Sequence, residues 1–323
     1  MNKEDIIIIT GANGFIGSCF LSFLNDLSFK NLILVDDFKN GISDNLIGKK
    51  YLSKINIFEL EKVIESLNFN YFFHFGANSD TTELDYEIHE KYNLNYSKMV
   101  WKYCTLKKVP LIYASSAATY GNGEYGYNDE HYIINKLQPL NPYGLSKHNF
   151  DKWCINQNTS PPYWFGLKFF NVYGPNEYHK NNMSSIILKN FNHIKEKNKA
   201  ILYKSHNNNY KDGDQKRDFI YIKDLNKIIY WLITNLPKSG LYNVGSGVSR
   251  TYKELVKIMF DVMNIEENIE YIPTPSSIIN NYQYFTEANM NKLYSAGFDD
   301  KLYSLEEGIG DYIKNYLNKN SFL

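Results

Sequence analysis

The chain has 323 residues, and its 35 Lys plus Arg balance its 35 Asp plus Glu, so its formal net charge at pH 7 is zero. That length supports two domains or one large one with a sizeable core, and the zero balance excludes a protein drawn by overall charge to nucleic acid or an anionic membrane. Three cysteines, Cys19, Cys104 and Cys154, lie far apart and form no C-x-x-C pair, so neither a disulfide framework nor a metal site is expected. A reducing, cytoplasmic setting fits best. The first apolar run, Ile6–Ile9, is too short for a signal-peptide core, and no stretch reaches the roughly 18 apolar residues of a membrane span, so neither export nor a membrane partner is expected. Only two arginines occur, Arg217 and Arg250, among 28 tyrosines.

In chain order, short apolar runs alternate with longer mixed segments, the pattern of strand and helix units in a parallel sheet. Strands are predicted at Asp5–Thr10, Leu32–Asp36, Tyr71–Phe75, Leu111–Ser115 and Trp164–Phe169. Helices are predicted at Gly17–Leu27, Leu60–Leu67, Ile88–Leu106 and Tyr143–Gln157, where apolar residues recur at three- and four-residue spacing. The reading is α/β, a Rossmann-like doubly wound parallel sheet. After about Asn171, Pro and Asn punctuate shorter elements, which predicts a smaller C-terminal α/β substrate domain. Phe219–Ile222 and Leu241–Val244 are strand-like and are expected to return to the first sheet. The domains are therefore drawn as 1–172 with about 219–247, and 173–218 with about 248–323.

Gly11, Gly14 and Gly17 stand in a G-x-x-G-x-x-G run between the first strand and the first helix, where backbone N–H groups and the helix dipole meet a dinucleotide pyrophosphate. Asp36 and Asp37 end the next strand, where a carboxylate bonds the adenosine ribose and two would repel a 2′-phosphate. NAD is expected rather than NADP. Tyr143 and Lys147 are one helical turn apart, a spacing at which the ammonium lowers the phenol's pKa and makes it a base near neutrality. Tyr103/Lys107 and Tyr132/Lys136 share the spacing, so position decides: Tyr143 follows by some 30 residues the strand that delivers Ser116 to the crevice of the glycine loop. Arg217 precedes a strand and suits bidentate phosphate binding or a surface ion pair. His179 and Lys180, read alone, are surface-loop residues, and His74 reads as packing.

These motifs together resemble the extended short-chain dehydrogenase/reductase superfamily, and within it the ADP-glycero-manno-heptose 6-epimerases. The likeness also rests on His74–Ala77 with Ser79–Glu83, Ala114–Gly121, Asn141–Lys147, Phe170–Pro175, Lys216–Phe219 and Ile269–Pro273. The resemblance implies that Gly11, Asn13, Gly14, Phe15, Ile16, Gly17, Asp36, Asp37, Asn56, Ile57, Gly76 and Asn93 bind the cofactor with Tyr143 and Lys147. It makes Ser116, Tyr143 and Lys147 the catalytic centre and Lys180 the second acid/base. It assigns Ser79, Thr81, Ser116, Asn171, His179, Lys180, Arg217 and Tyr282 to the substrate, a nucleotide diphosphate heptose. It implies a homo-oligomer, at least a dimer, built on the helices Ile88–Leu106 and Tyr143–Gln157.

Three departures stand beside the likeness. Asp37 and Ser43 disfavour a 2′-phosphate, the segment Tyr203–Gln215 is long where it would cover the nucleotide base, and 276–281 lacks basic residues. They leave open an ADP- or a GDP-linked sugar, and a GDP-heptose dehydrogenase oxidising C4 as the alternative to the epimerase. A non-catalytic NAD-binding sensor is a remoter third reading.

Overall fold

The computed structural model describes residues 1–39, 41–279 and 282–323, the side chains of residues 277 and 278 apart. Asn280 and Asn281, part of the third departure, lie outside the described residues.

The first half builds strand and helix units as predicted. Strand β1 (Ile7–Thr10) leads through the glycine turn into helix α1 (Phe15–Asp26), and β2 (Leu32–Asp36) is followed by β3 (Ser53–Asn56) and the short helix α2 (Leu60–Val63). After β4 (Tyr71–His74), helix α3 (Tyr86–His89) runs through a π-helical stretch, Glu90–Asn95, into α4 (Tyr96–Leu106). Strand β5 (Leu111–Ser116), helix α5 (Pro142–Ile155) and β6 (Trp164–Phe169) complete the series. Helix α5 begins where it does because Asn141 caps it, its side chain accepting from the Gly144 N–H at 2.7 Å, with Pro142 in the first turn.

The second half opens with β7 (Asn171–Tyr173), α6 (Ile186–Lys197) and β8 (Ala200–Tyr203), then β9 (Lys216–Tyr221), α7 (Ile222–Asn235) and β10 (Gly240–Val244). It goes on through β11 (Ser249–Thr251), α8 (Tyr252–Met263) and β12 (Ile269–Ile272).

Seven strands form one sheet in the order β10-β6-β5-β4-β1-β2-β3, every pairing parallel. Both faces are covered, as such sheets require. Alternation along β1 sends Ile7 and Ile9 into the core under α1 and α7, with Phe20, Leu24 and Ile228. Ile8 enters the opposite core, under α4 and α5, with Val100, Trp101 and Phe150. β11-β9-β7 and β12-β8 are separate small sheets.

Two expectations change. β3, too short and too polar to be read as a strand, pairs with β2 at the sheet edge. Leu241–Val244 does return to the first sheet, but Phe219–Ile222 does not. Its strand, β9, begins at Lys216 and pairs parallel with β7 and antiparallel with β11. The place beside β6 is taken by β10, in register from Gly240 opposite Phe165, so β9 extends the short strand that follows the sheet instead.

Candidate active site

The strand order reverses between β1 and β4, and beyond the carboxyl ends of the strands there opens a cleft of about 1350 Å³. Gly11 turns at φ +70°, and a Cβ on it would come within 2.6 Å of the Gly76 nitrogen. A Cβ on Gly17 would lie 2.1 Å from the Gly11 carbonyl oxygen. The first turn of α1 is thus pressed against the end of β1 with no side chain between them. No side chain caps α1 and no acidic residue lies in its first turn, so its leading N–H groups and dipole face the cleft. The cradle fits a pyrophosphate.

Asp36 ends β2 at the same rim. Its carboxylate accepts from the backbone N–H of Asn13 at 2.8 Å and of Asp37 at 2.7 Å, while burial raises its pKa. Ser43, where a cation would meet a 2′-phosphate, is tied to Asn13, whose side-chain oxygen accepts from the Ser43 N–H at 2.9 Å and hydroxyl at 2.8 Å. Ile57 and Phe58 line the wall beyond, with Tyr92 across from Phe58 at 6.3 Å between ring centroids. Phe58 and Tyr92 were not expected there. Phe58 stood next to a named residue, whereas Tyr92 carries no local signal, because the π-helical stretch decides which way it faces.

Ser116, Tyr143 and Lys147 meet in the cleft. Ser116 ends β5 and accepts from the Ala118 N–H at 3.1 Å. Lys147, buried, donates to the Ala114 carbonyl at 2.8 Å, and burial pulls its pKa down to about 8, the carboxylate of Asp151 opposing. The phenol departs from expectation: burial lifts the Tyr143 pKa above its ordinary value, with Ser116 acting against the rise. The ammonium is held on the Ala114 carbonyl and is itself made less basic by burial, so in the protein alone it does not depress the phenol. His74 is structural: its ring bonds the Thr10 hydroxyl at 2.6 Å and the Ser97 hydroxyl at 2.9 Å, and burial pulls its pKa down to about 3.

The other wall is the kinked 3-10 segment Tyr178–Met183 after β7, which brings His179 and Lys180 to the cleft. Lys180 Nζ stands 5.5 Å from the centroid of Phe15 in the glycine loop, and burial lowers its pKa while Glu177 opposes. The surface-loop reading of these two residues is thereby set aside. Asn171, Ser79, Thr81 and Tyr282 line the same cleft, as does Lys189 of α6, which was not anticipated. Thr81 reaches across to the Met183 sulfur at 3.6 Å.

Three expected residues do not line the cleft. Asn56 spends its side-chain oxygen on the Phe58 N–H at 3.0 Å, closing the turn after β3. Asn93 is buried behind the wall, where it holds the backbone of Asn78 and donates to the Ser146 hydroxyl at 3.0 Å, so it braces the cofactor-side loop against α5. Arg217 lies within β9 rather than before it. Its guanidinium donates to the carbonyls of Lys216 and Gln283 and sits 5.7 and 5.6 Å from the ring centroids of Tyr252 and Tyr282, the two residues that do face the cleft.

Residues 7–245 match the NAD dependent epimerase/dehydratase family, and the chain belongs to that family. The chain is 42% identical over 97% of its length to the ADP-L-glycero-D-manno-heptose-6-epimerase of Fusobacterium nucleatum, covering 98% of that protein. It is 39% identical to the same-named protein of Nitratidesulfovibrio vulgaris, over 96% of this chain and 97% of that one. The crystal structure of the Helicobacter pylori ADP-L-glycero-D-manno-heptose-6-epimerase superposes with a TM-score of 0.81 at 30% identity, covering 96% of each chain. A UDP-N-acetylglucosamine 4-epimerase from Methanobrevibacter ruminantium, at 22% identity and a TM-score of 0.81 over 98% of this chain and 100% of that one, shares the fold. Among the described residues no helix is long and apolar enough to cross a membrane.

Proposed function

We propose that the chain is an NAD-dependent 6-epimerase of an ADP-linked glycero-manno-heptose. The observation that carries the reading is that one cleft holds Tyr143, Lys147 and Ser116 on one wall and Lys180 on the other. Inversion takes the hydrogen from the sugar carbon with the hydroxyl proton and returns hydrogen to the other face of the ketone, and a proton-transfer group on each wall lets the ketone be served in both presentations. The relatives reported above are named for the ADP sugar, which supports the epimerase over the GDP-linked dehydrogenase.

NAD fits the residues present: the Gly11–Gly17 cradle for its pyrophosphate, Asp36 and Asp37 for its adenosine ribose, Ile57 with Phe58 for its base, and Gly76, Tyr143 and Lys147 toward its nicotinamide. Bound there, it supplies a reversible acceptor for the hydrogen and electron pair of the sugar carbon. Tyr143 takes the hydroxyl proton in one half of the reaction. Ser116 donates to the oxygen as it gains charge. Lys147, held on the Ala114 carbonyl beside them, would add its charge to that of the bound nicotinamide in favouring the phenolate, an effect the protein alone does not supply. Lys180 gives or takes the proton on the opposite wall. Asn171, Ser79, Thr81, His179 and Tyr282 bind the sugar nucleotide, with Arg217 supporting Tyr282 from behind.

We infer that the protein acts in the cytoplasm, as the reduced cysteines suggest, and forms a homo-oligomer through α3 to α5. Leu106 and Leu145, on those helices, are exposed apolar side chains. The domain division at about residues 172, 219 and 247 belongs to the same reading, with β10 on the cofactor side.

The test is to incubate purified protein with ADP-D-glycero-D-manno-heptose and, separately, its GDP counterpart, following reduced nicotinamide by absorbance and the C6 configuration by NMR. The reading expects inversion at C6 of the ADP sugar with no lasting reduced cofactor. Net accumulation of reduced cofactor with the GDP sugar alone would replace it by the dehydrogenase.

A further inference from the structure

Behind the reacting wall lies a set of buried charged and hydroxyl side chains, of which only Ser115 borders the cleft. Asp151 of α5 is completely buried and forms an ion pair at 2.7 Å with Lys168 of β6, itself 1% exposed. The same carboxylate accepts from the Ser115 hydroxyl at 2.7 Å and the Tyr113 hydroxyl at 3.0 Å, both on β5. Lys168 donates onward to the Thr119 hydroxyl at 2.7 Å, and Thr119 donates to the carbonyl of Ser116 at 2.8 Å.

The placement is specific. Tyr143, Lys147 and Asp151 are spaced by four residues and fall on one side of α5. Ser115 is the register partner of Lys168, and Ser116 of Phe169, on the adjoining strands. The ion pair therefore joins the helix that carries the phenol and ammonium to β6, and the Ser115 and Tyr113 hydroxyls join the same carboxylate to β5, whose end carries Ser116. A buried ion pair is a poor device for stability alone, since apolar residues of similar volume commonly serve as well or better. What it offers here is a fixed distance.

We propose that Asp151, paired with Lys168, is a positioning residue of this site, locking α5 to the ends of β5 and β6 so that Tyr143 and Lys147 are held in register with Ser116. The inference rests on the reading of those three as the reacting groups. A second effect follows from charge: the Asp151 carboxylate raises the pKa of both Lys147 and Tyr143. The titratable groups around it are Lys168 from β6, Tyr113 from β5, and Lys147, His148 and Cys154 from α5 itself. From the segments after β5, Tyr120 and His131 also feel its charge.

The test uses Asp151→Asn, Asp151→Glu, Lys168→Met and the double variant, with Tyr143→Phe as reference. The readouts are kcat and KM, the pH profile of kcat, NAD affinity by quenching of tryptophan fluorescence, and thermal melting. For folded Asp151→Asn the expected result is a loss of about 100-fold in kcat, as for a misplacement of about an ångström, with KM and NAD affinity within about threefold of the parent. Its pH profile shifts to lower pH, because a negative charge near both bases is gone. Asp151→Glu recovers part of the rate, and the double variant is no worse than the single ones, since both remove one link. If Asp151→Asn does not fold, Ser115→Ala and Thr119→Val carry the test, with kcat expected to fall about fivefold to tenfold at constant KM.

A folded Asp151→Asn, or the two hydroxyl variants, with kcat within about twofold of the parent and an unmoved pH profile would overturn the proposal. So would a rate loss matched by an equal loss of NAD affinity, which indicates general loosening. Should Tyr143→Phe keep its rate, the functional reading itself fails. An inactive Tyr143→Phe beside a fully active Asp151→Asn removes only the positioning role.

Discussion

The two walls of the cleft are built on opposite plans. Ser116, Tyr143 and Lys147 stand on the end of a central strand and in the first turns of a 14-residue helix, backed by a buried network in which Asp151 and Lys168 are mutually satisfied. Lys180 stands on a short 3-10 segment, Tyr178–Met183, that is kinked at Asn181 (φ +45°) and follows Asn176 at φ +72°. That segment is held at its root by Glu177, whose carboxylate accepts from the Ser185 N–H at 2.5 Å and hydroxyl at 2.6 Å. It is held from outside by the Tyr178 hydroxyl on the Ser321 carbonyl at 2.8 Å. On the proposed reading, the difference teaches that rigidity lies where the proton transfer of Tyr143 is aligned with the dinucleotide. The wall of Lys180 is instead a short kinked segment with few regular backbone bonds, the kind of structure that opens at low cost.

The largest expected effect lies on the rigid wall. Tyr143→Phe should bind NAD normally and lose about 10²–10⁴-fold in turnover, measured as C6 inversion under saturating substrate. A rate near that of the parent would break the contrast at its centre. Next comes stability: Lys168→Met leaves the Asp151 carboxylate buried without its cation, held only by the Ser115 and Tyr113 hydroxyls, and should cost about 3–5 kcal/mol in urea unfolding, against about 1–3 kcal/mol for Glu177→Gln beneath the Lys180 segment. Equal costs would mean that the walls are alike.

Lys180→Met sharpens the comparison differently. It should lower inversion by about 100-fold while transient reduction of NAD by the ADP sugar persists, because the first half-reaction needs only the other wall. Loss of both signals together would put Lys180 in both halves.

The last effect is a pH dependence, spread over several pH units and so shallow at any one pH. Lys147 has its pKa lowered to about 8 in the folded protein against 10.5 ordinarily, so the unfolded chain binds more protons between those values. Folding stability contributed by this group therefore rises with pH across that window and is flat below it, by up to about 3 kcal/mol in all. Urea unfolding of the parent and of Lys147→Met at pH 7.5 and 10 would expose it as a slope that the variant lacks; parallel slopes would show the lysine to be as basic as in water.

Much of the rigid wall was legible from sequence, because its signals are local. The glycine spacing, the carboxylate closing β2, and the Tyr143/Lys147 pair in a helix capped by Asn141 each need only a few neighbouring residues to make sense. The other wall was not: Lys180 read alone is a surface lysine, and only the fold brings it, half-buried, to the cleft beside Phe15. Arg217 and Asn93 erred the other way. Their side chains suit phosphate and cofactor, yet backbone carbonyls claim the first, and Asn78 with Ser146 claims the second. Asp151 and Lys168 left signals that went unread, an acidic residue one turn beyond Lys147 and a charge inside the otherwise apolar strand Trp164–Phe169.

What the amino-acid sequence determined by itself is the parallel sheet and the nucleotide cradle. Apolar periodicity and glycine placement act within a few residues and hold whatever the rest of the chain does. Tertiary structure alone decided which sheet β9 would join, which side chains would face the cleft, and how basic each would be there. Those depend on which edges remain unpaired and how much water burial removes, and residues far apart in the chain set both.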